Sequence, residues 1–157
     1  MQDIAPDVVS IADACLGGLQ GRSALLIGPE ELRSTYLKLL RQARMKHVYQ
    51  EDAPARLPAI LPYVQLLIYM PTLVRTEDGS ITIPQITAAS IARGCAGRHT
   101  PLLIFDLAPT TSVEELAGLL PAVCLYTPDD IHNILYKTAQ KNQDKTALEN
   151  QAAMKAC

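Results

Sequence analysis

With 157 residues, 48% of them hydrophobic and 19% charged, the chain is long enough to bury the core of one domain. A net charge of −2 supplies no basic field for phosphate backbones, and one Phe and six Tyr with no Trp form no evident stacking platform, so direct nucleic-acid binding is not expected. Four cysteines, Cys15, Cys95, Cys124 and Cys157, lie far apart without a C-x-x-C pair, which argues against a disulfide framework or zinc knuckle and predicts free thiols. Met1 to Pro6 has no basic stretch ahead of an apolar run, and no segment is long enough to span a bilayer; a cytoplasmic protein without membrane contact is expected.

Val8, Val9, Ile11, Ala12, Cys15, Leu16 and Leu19 recur at helical spacing before Gly17, Gly18 and Gly21, predicting an amphipathic helix over Val8 to Leu19. Ser23 to Ile27 reads as a short buried strand, and Glu30 to Arg44 as a helix with Leu32, Tyr36, Leu37, Leu39 and Leu40 on its apolar face. His47-Val48-Tyr49 and Val64 to Tyr69 read as the next two strands. Between them Gln50 to Tyr63 carries Pro54, Pro58 and Pro62. A crossover alone takes roughly a dozen residues, so this passage has no room for a further strand, and one βα unit is expected to be missing.

Glu77-Asp78-Gly79-Ser80 marks a turn between Leu73-Val74 and Ile81-Thr82-Ile83, a small hairpin. Pro84 to Gly94 predicts a helix with proline in its first turn, Pro101 to Leu107 a buried strand, Ser112 to Leu116 a short helix, and Ala122 to Tyr126 a last strand. Thr127, Pro128 and the acids Asp129 and Asp130 then open a long helix, whose stripe runs through Ile131, Ile134, Leu135, Thr138 and Ala139 before the mostly polar stretch from Gln140 to Gln151. Alternating strands and helices predict an α/β, Rossmann-like domain over residues 1–126, with a mainly parallel sheet of about five strands flanked by helices, and a C-terminal helix over 127–157.

The turn Gly28-Pro29-Glu30-Glu31-Leu32-Arg33 follows the first strand where dinucleotide folds place G-x-G-x-x-G. In that motif the first glycine makes the turn, the second admits pyrophosphate to the backbone, and the third lets helix pack on strand. Only Gly28 is present; Glu30 sets a carboxylate at the helix N-terminus where pyrophosphate would lie, and Arg33 puts a long side chain at the close-packing position.

Three stretches resemble glutamyl-tRNA reductase: Leu19 to Gly28, Pro101 to Ala108, and Val123 to Ile131 with its Thr127-Pro128-Asp129-Asp130. The likeness extends over nearly the whole chain and implies that family's NADPH-binding domain together with the start of its dimerisation helix. The departures fall on the cofactor-binding positions. Beside Glu30 and Arg33, Gln50-Glu51-Asp52 stands where the family carries an Asn-Arg-Thr-like stretch, and Ala108-Pro109-Thr110-Thr111 where it has Ala-Val-Pro-Arg. The family's catalytic domain, with its thioester-forming cysteine, precedes this region and has no counterpart here.

These features predict a non-catalytic, glutamyl-tRNA-reductase-like module: an interaction or regulatory protein linked to tetrapyrrole biosynthesis, with no catalytic residue and no cofactor. Protein or homodimer contacts are expected through the helix starting at Pro128. One alternative is an NADP(H)-binding fragment working with a separate catalytic domain; another is a small-ligand or haem-binding protein. Met70, Thr72, Asp106 and Ala108 mark a possible pocket at the carboxyl edge of the sheet, and Asp106 reads equally well as a functional group or as a loop cap. Cys95 and His99 are weak metal or haem candidates, because two ligands do not make a zinc site and the surrounding glycines fit a loop. Cys15 is expected to be a buried structural thiol, and neither His47 nor His132 has a ligand-like partner.

Overall fold

A computed structural model describes residues 4–71 and 73–137. In chain order the elements are α1 (Ala5–Leu16), β1 (Ser23–Ile27), α2 (Glu30–Gln42), β2 (His47–Glu51), α3 (Leu57–Ile60), β3 (Leu66–Tyr69), β4 (Val74–Arg75), β5 (Ile81–Thr82), α4 (Ala88–Gly94), β6 (Leu102–Asp106) and β7 (Val123–Tyr126). A last helix, α5, is helical over 128–137. Thr72, Thr138, Ala139 and the polar stretch Gln140 to Gln151 lie outside the described residues.

The main sheet has five strands in the order β2-β1-β3-β6-β7, every neighbouring pair parallel. This is the doubly wound, Rossmann-like arrangement, with the direction of winding reversing between β1 and β3. Strands β1, β3 and β6 are buried along their whole length, as central parallel strands covered on both faces must be. Alternate residues feed two cores. Ala24, Leu26, Leu66, Ile68, Leu103 and Phe105 pack with Val8, Ala12 and Leu16 of α1 and with Ile131 of α5. Leu25, Ile27, Leu67, Tyr69 and Ile104 pack with Leu57, Ile60 and Ile91 of α3 and α4.

The missing βα unit shows in this order: β2 is an edge strand, and the chain returns from it to β3 through compact turns, 3-10 at Pro54–Arg56, α3, and 3-10 at Leu61–Tyr63. Three prolines at the starts of these turns suit such short helical pieces. Arg98 pins the passage to the start of β6, donating to the carbonyls of Leu61 (2.8 Å), Thr100 (2.7 Å) and Pro101 (3.2 Å) and also to that of Val64.

Several sequence expectations need correcting. The first helix stops at Leu16, because Gly17 (φ 67) takes the left-handed cap and Gly18 N–H closes on Asp13 O at 2.8 Å; Leu19 is buried but lies beyond the helix. Cys15 is exposed rather than buried, since the buried stripe of α1 is Ala5, Val8, Ala12 and Leu16. The helix read from Pro84 begins only at Ala88, capped by the Thr87 hydroxyl, because Ile86 is drawn into a parallel bridge with Val113. That bridge also displaces the short helix read from Ser112 to a 3-10 turn at Glu115–Leu119. On α2 only Tyr36 and Leu40 are buried, and Leu32 of the predicted stripe is half exposed. The hairpin is present as the antiparallel pair β4–β5.

Candidate functional site

Strand β1 ends at the carboxyl edge of the sheet, where open α/β folds bind ligands. Gly28 has φ +149, and a Cβ there would lie 2.2 Å from Met70 O. The close approach of β3 to this turn therefore demands glycine on its own account. Met70 N–H donates to Ile27 O (2.7 Å) and Gly28 N–H to Glu51 O (3.0 Å), so the turn is bound to both neighbouring strands. Pro29 starts α2, accepting from Leu32 and Arg33 N–H at 3.1 and 3.0 Å, and Glu30 and Glu31 stand exposed in the first turn.

Arg33 folds back across this turn. Its Nε donates to Gly28 O (2.7 Å), Nη1 to Gln50 Oε1 (3.1 Å) and Nη2 to Asp52 Oδ1 (2.7 Å). The Arg33 side chain is 12% exposed, while that of Asp52 is 88% exposed. Beside it Arg56 Nε sits 3.0 Å from Glu51 Oε1, an ion pair without aligned hydrogen-bond geometry. The sequence marked Glu30, Arg33 and the Gln50 to Asp52 stretch separately; the fold joins Arg33 to both ends of the last and leaves Glu30 in solvent.

At the end of β6, Asp106 is completely buried. Its carboxylate accepts from the backbone N–H groups of Ala108 (3.1 Å), Ser112 (2.7 Å) and Val113 (2.9 Å) and from the Ser112 hydroxyl (2.8 Å). This organises the loop over 107–113. A cleft of about 200 Å³ opens beside it, lined by Ile4, Asp106, Ala108, Ile131, His132 and Leu135. Asp106 and Ala108 share this cleft, whereas Met70 lies under Gly28 and does not line it. On the neighbouring strand the buried Tyr69 phenol donates to Pro84 O at 2.5 Å, and burial together with the charge of Asp106 pushes its pKa up to about 12.

A third cluster was not expected. Cys15 Sγ lies 3.1 Å from the Tyr126 hydroxyl, and the Tyr126 ring stacks on Phe105 at 5.1 Å. The bond to Cys15, then burial, raises the Tyr126 pKa to about 12, and burial pushes the Cys124 thiol up as well. Period-two alternation along β7 was the available signal: it sets Cys124 and Tyr126 on the face that α1 covers. Cys95 and His99 are not brought into a ligand set. Cys95 is half-buried with its thiol pushed up by burial, against the opposing pull of Arg98, and His99 is exposed. Among the described residues no three His, Cys, Asp or Glu groups could hold a metal ion, and no helix is long and apolar enough to cross a membrane.

No protein-family model matches the chain. Glutamyl-tRNA reductase of Methanospirillum hungatei is 29% identical over 154 residues, 87% of this chain and 36% of that protein. The Stutzerimonas stutzeri enzyme is 26% identical over 151 residues, 89% of this chain and again 36% of its own length. Among solved structures, glutamyl-tRNA reductase from Methanopyrus kandleri superposes with a TM-score of 0.69 at 18% identity, covering 92% of this chain and 39% of that one. A dipicolinate synthase polypeptide from Bacillus halodurans follows the same fold at 13% identity, with a TM-score of 0.57 over 87% of this chain and 52% of its own. By sequence and by fold the chain is similar to glutamyl-tRNA reductase along 87 to 92% of its length, and it spans only 36 to 39% of those relatives.

Proposed function

We propose that this chain is a glutamyl-tRNA-reductase-like module that does not use NADP(H) and works by association, as an interaction or regulatory component linked to tetrapyrrole biosynthesis. The observation that carries the reading is the Arg33 clamp. One guanidinium lies across the turn, bonded to the Gly28 carbonyl and to the Gln50 and Asp52 side chains at the end of β2, so it fills the space a dinucleotide would have to cross between the turn and that strand end. Glu30 adds a carboxylate at the N-terminus of α2, where the helix dipole would otherwise attract pyrophosphate. The one retained glycine is accounted for by Met70 and so does not argue for a cofactor. These residues do not fit the dinucleotide that the family resemblance implies.

Association through α5 is the positive half of the proposal. Thr127 Oγ1 accepts from Asp130 N–H (3.1 Å) while Asp130 Oδ2 accepts from Thr127 N–H (3.0 Å), a reciprocal cap that fixes where the helix leaves the domain. Ile131 and Leu135 pack into the chain's own core, so the contact surface is narrower than the apolar stripe suggests, and it centres on Tyr136, which is 59% exposed.

Calorimetric titration with NADPH and NADP at millimolar ligand tests the first half: no saturable heat is expected. Saturable binding would move the second reading, an NADP(H)-binding fragment of a reductase, to the front; the activity of its relatives and its coverage of about a third of their length favour that reading. No observation favours a haem site at Cys95 and His99.

A further inference from the structure

We infer that the chain pairs with a second copy of itself through strand β2, joining two five-stranded sheets into one continuous sheet about a twofold axis at Tyr49. The inference is independent of the reading of α5. Strand β2 closes one side of the sheet, and its residues are exposed or half-buried throughout, while β1 beside it is wholly buried. Edge strands are ordinarily blunted by a proline, a bulge, charged side chains along the edge or a covering segment. β2 has no proline, its register with β1 runs unbroken from Ser23↔His47 to Ile27↔Glu51, no described strand pairs with its outer edge, and its charged residues lie toward its two ends rather than at its centre.

Its charges choose the partner. Lys46 and His47 stand at one end; at the other are Glu51, ion-paired to Arg56, and Asp52, which is bonded to Arg33 but keeps 88% of its side chain exposed to a second partner. A parallel copy would set like charges side by side; an antiparallel copy sets opposites together. Side chains alternate between faces, so an antiparallel pair keeps both helical layers in place only when facing residues share parity. Of those registers, only the one centred on Tyr49 places Lys46 against Asp52 and His47 against Glu51 of the second copy. Tyr49, 37% exposed, then meets its own counterpart. The hydrogen bonding agrees in phase. Glu51 turns its carbonyl toward Gly28, so Val48 and Gln50 direct theirs outward, and these two residues face each other in this register.

Sedimentation velocity across sub-millimolar concentrations reads the outcome. The wild-type chain is expected to dimerise reversibly, and Tyr49→Lys, which sets two ammonium groups at the axis, to remain monomeric with an unchanged circular dichroism spectrum. Lys46→Glu and Asp52→Lys should each weaken the dimer by roughly tenfold. An equimolar mixture of these two variants should recover it, because the mixed dimer restores both opposite-charge pairs. A monomeric wild type, or a dimer that Tyr49→Lys leaves intact, overturns the inference; the latter outcome points to α5, and a Tyr136→Lys variant would then abolish it.

Discussion

Two loops at the carboxyl edge of the sheet are each organised by one charged side chain, and they differ in what that side chain holds. Asp106 is wholly buried and binds backbone N–H groups together with a buried hydroxyl. Arg33 is nearly buried but binds one carbonyl and two side chains, one of which, Asp52, is mostly in solvent. A carboxylate that replaces water for buried donors belongs to the fold. A guanidinium with one partner mostly in solvent can be lost at smaller cost to stability, which fits its proposed role of filling the turn rather than holding the fold.

Removing the first of these side chains should have the largest effect. Asp106→Ala leaves the N–H groups of Ala108, Ser112 and Val113 without their acceptor, and should lower stability by about 4 kcal/mol in urea unfolding. Gly28→Ala should cost about 3 kcal/mol by the same measurement, because the new Cβ meets a backbone oxygen in a conformation that suits glycine. Arg33→Ala should cost only about 1 kcal/mol, given the exposure of Asp52. A loss at Arg33 equal to that at Asp106 would make the clamp a part of the core and remove the contrast.

Alkaline pH probes the Asp106 side from another direction. The Tyr69 pKa is raised from 10.0 to about 12 in the fold, so its contribution is complete below pH 10 and is lost as pH climbs from 10 to 12, where the unfolded chain has ionised and the folded one has not. Urea midpoints should fall over that window, and fall less in Tyr69→Phe. An equal fall in both chains would mean that other groups, Tyr126 among them, dominate. Smaller still is the expected effect at the loop of Cys95 and His99: the double alanine variant should take up haem and zinc no differently from the wild type, as read by absorbance and by competition with a chelator.

The sheet was legible in the sequence because its central strands are apolar runs of the right length between turn signals. The absent βα unit was legible too, because Gln50 to Tyr63 is too short and too rich in proline to hold it. What failed depended on contacts distant in sequence. Nothing near Pro84 announces that Ile86 will bridge to Val113, so the helix start was placed too early. Cys15 sits at the margin of a helical stripe, where spacing alone does not separate core from surface; the position of β7 decides it. The sequence leaves Asp106 open as a functional group or a loop cap, and the four donors around it, all in the same loop, come into view only in the fold. Local sequence shows Arg33 only as an obstacle, because its partners Gln50 and Asp52 lie 17 and 19 residues away. The local sequence showed a missing glycine, and only the fold shows what the arginine holds in its place.

The decisive measurement follows the backbone amides of Gly28, Arg33, Gln50 and Asp52 by nitrogen-edited NMR while NADPH is added to millimolar concentration, in the wild-type chain and in Glu30→Gly with Arg33→Gly. No saturable shift is predicted at these amides in either protein, because on the proposed reading the short passage after β2 leaves no place for the adenosine half. Saturable shifts centred on Gly28 and Arg33 in the wild type would contradict the closed turn and identify it as a working dinucleotide site.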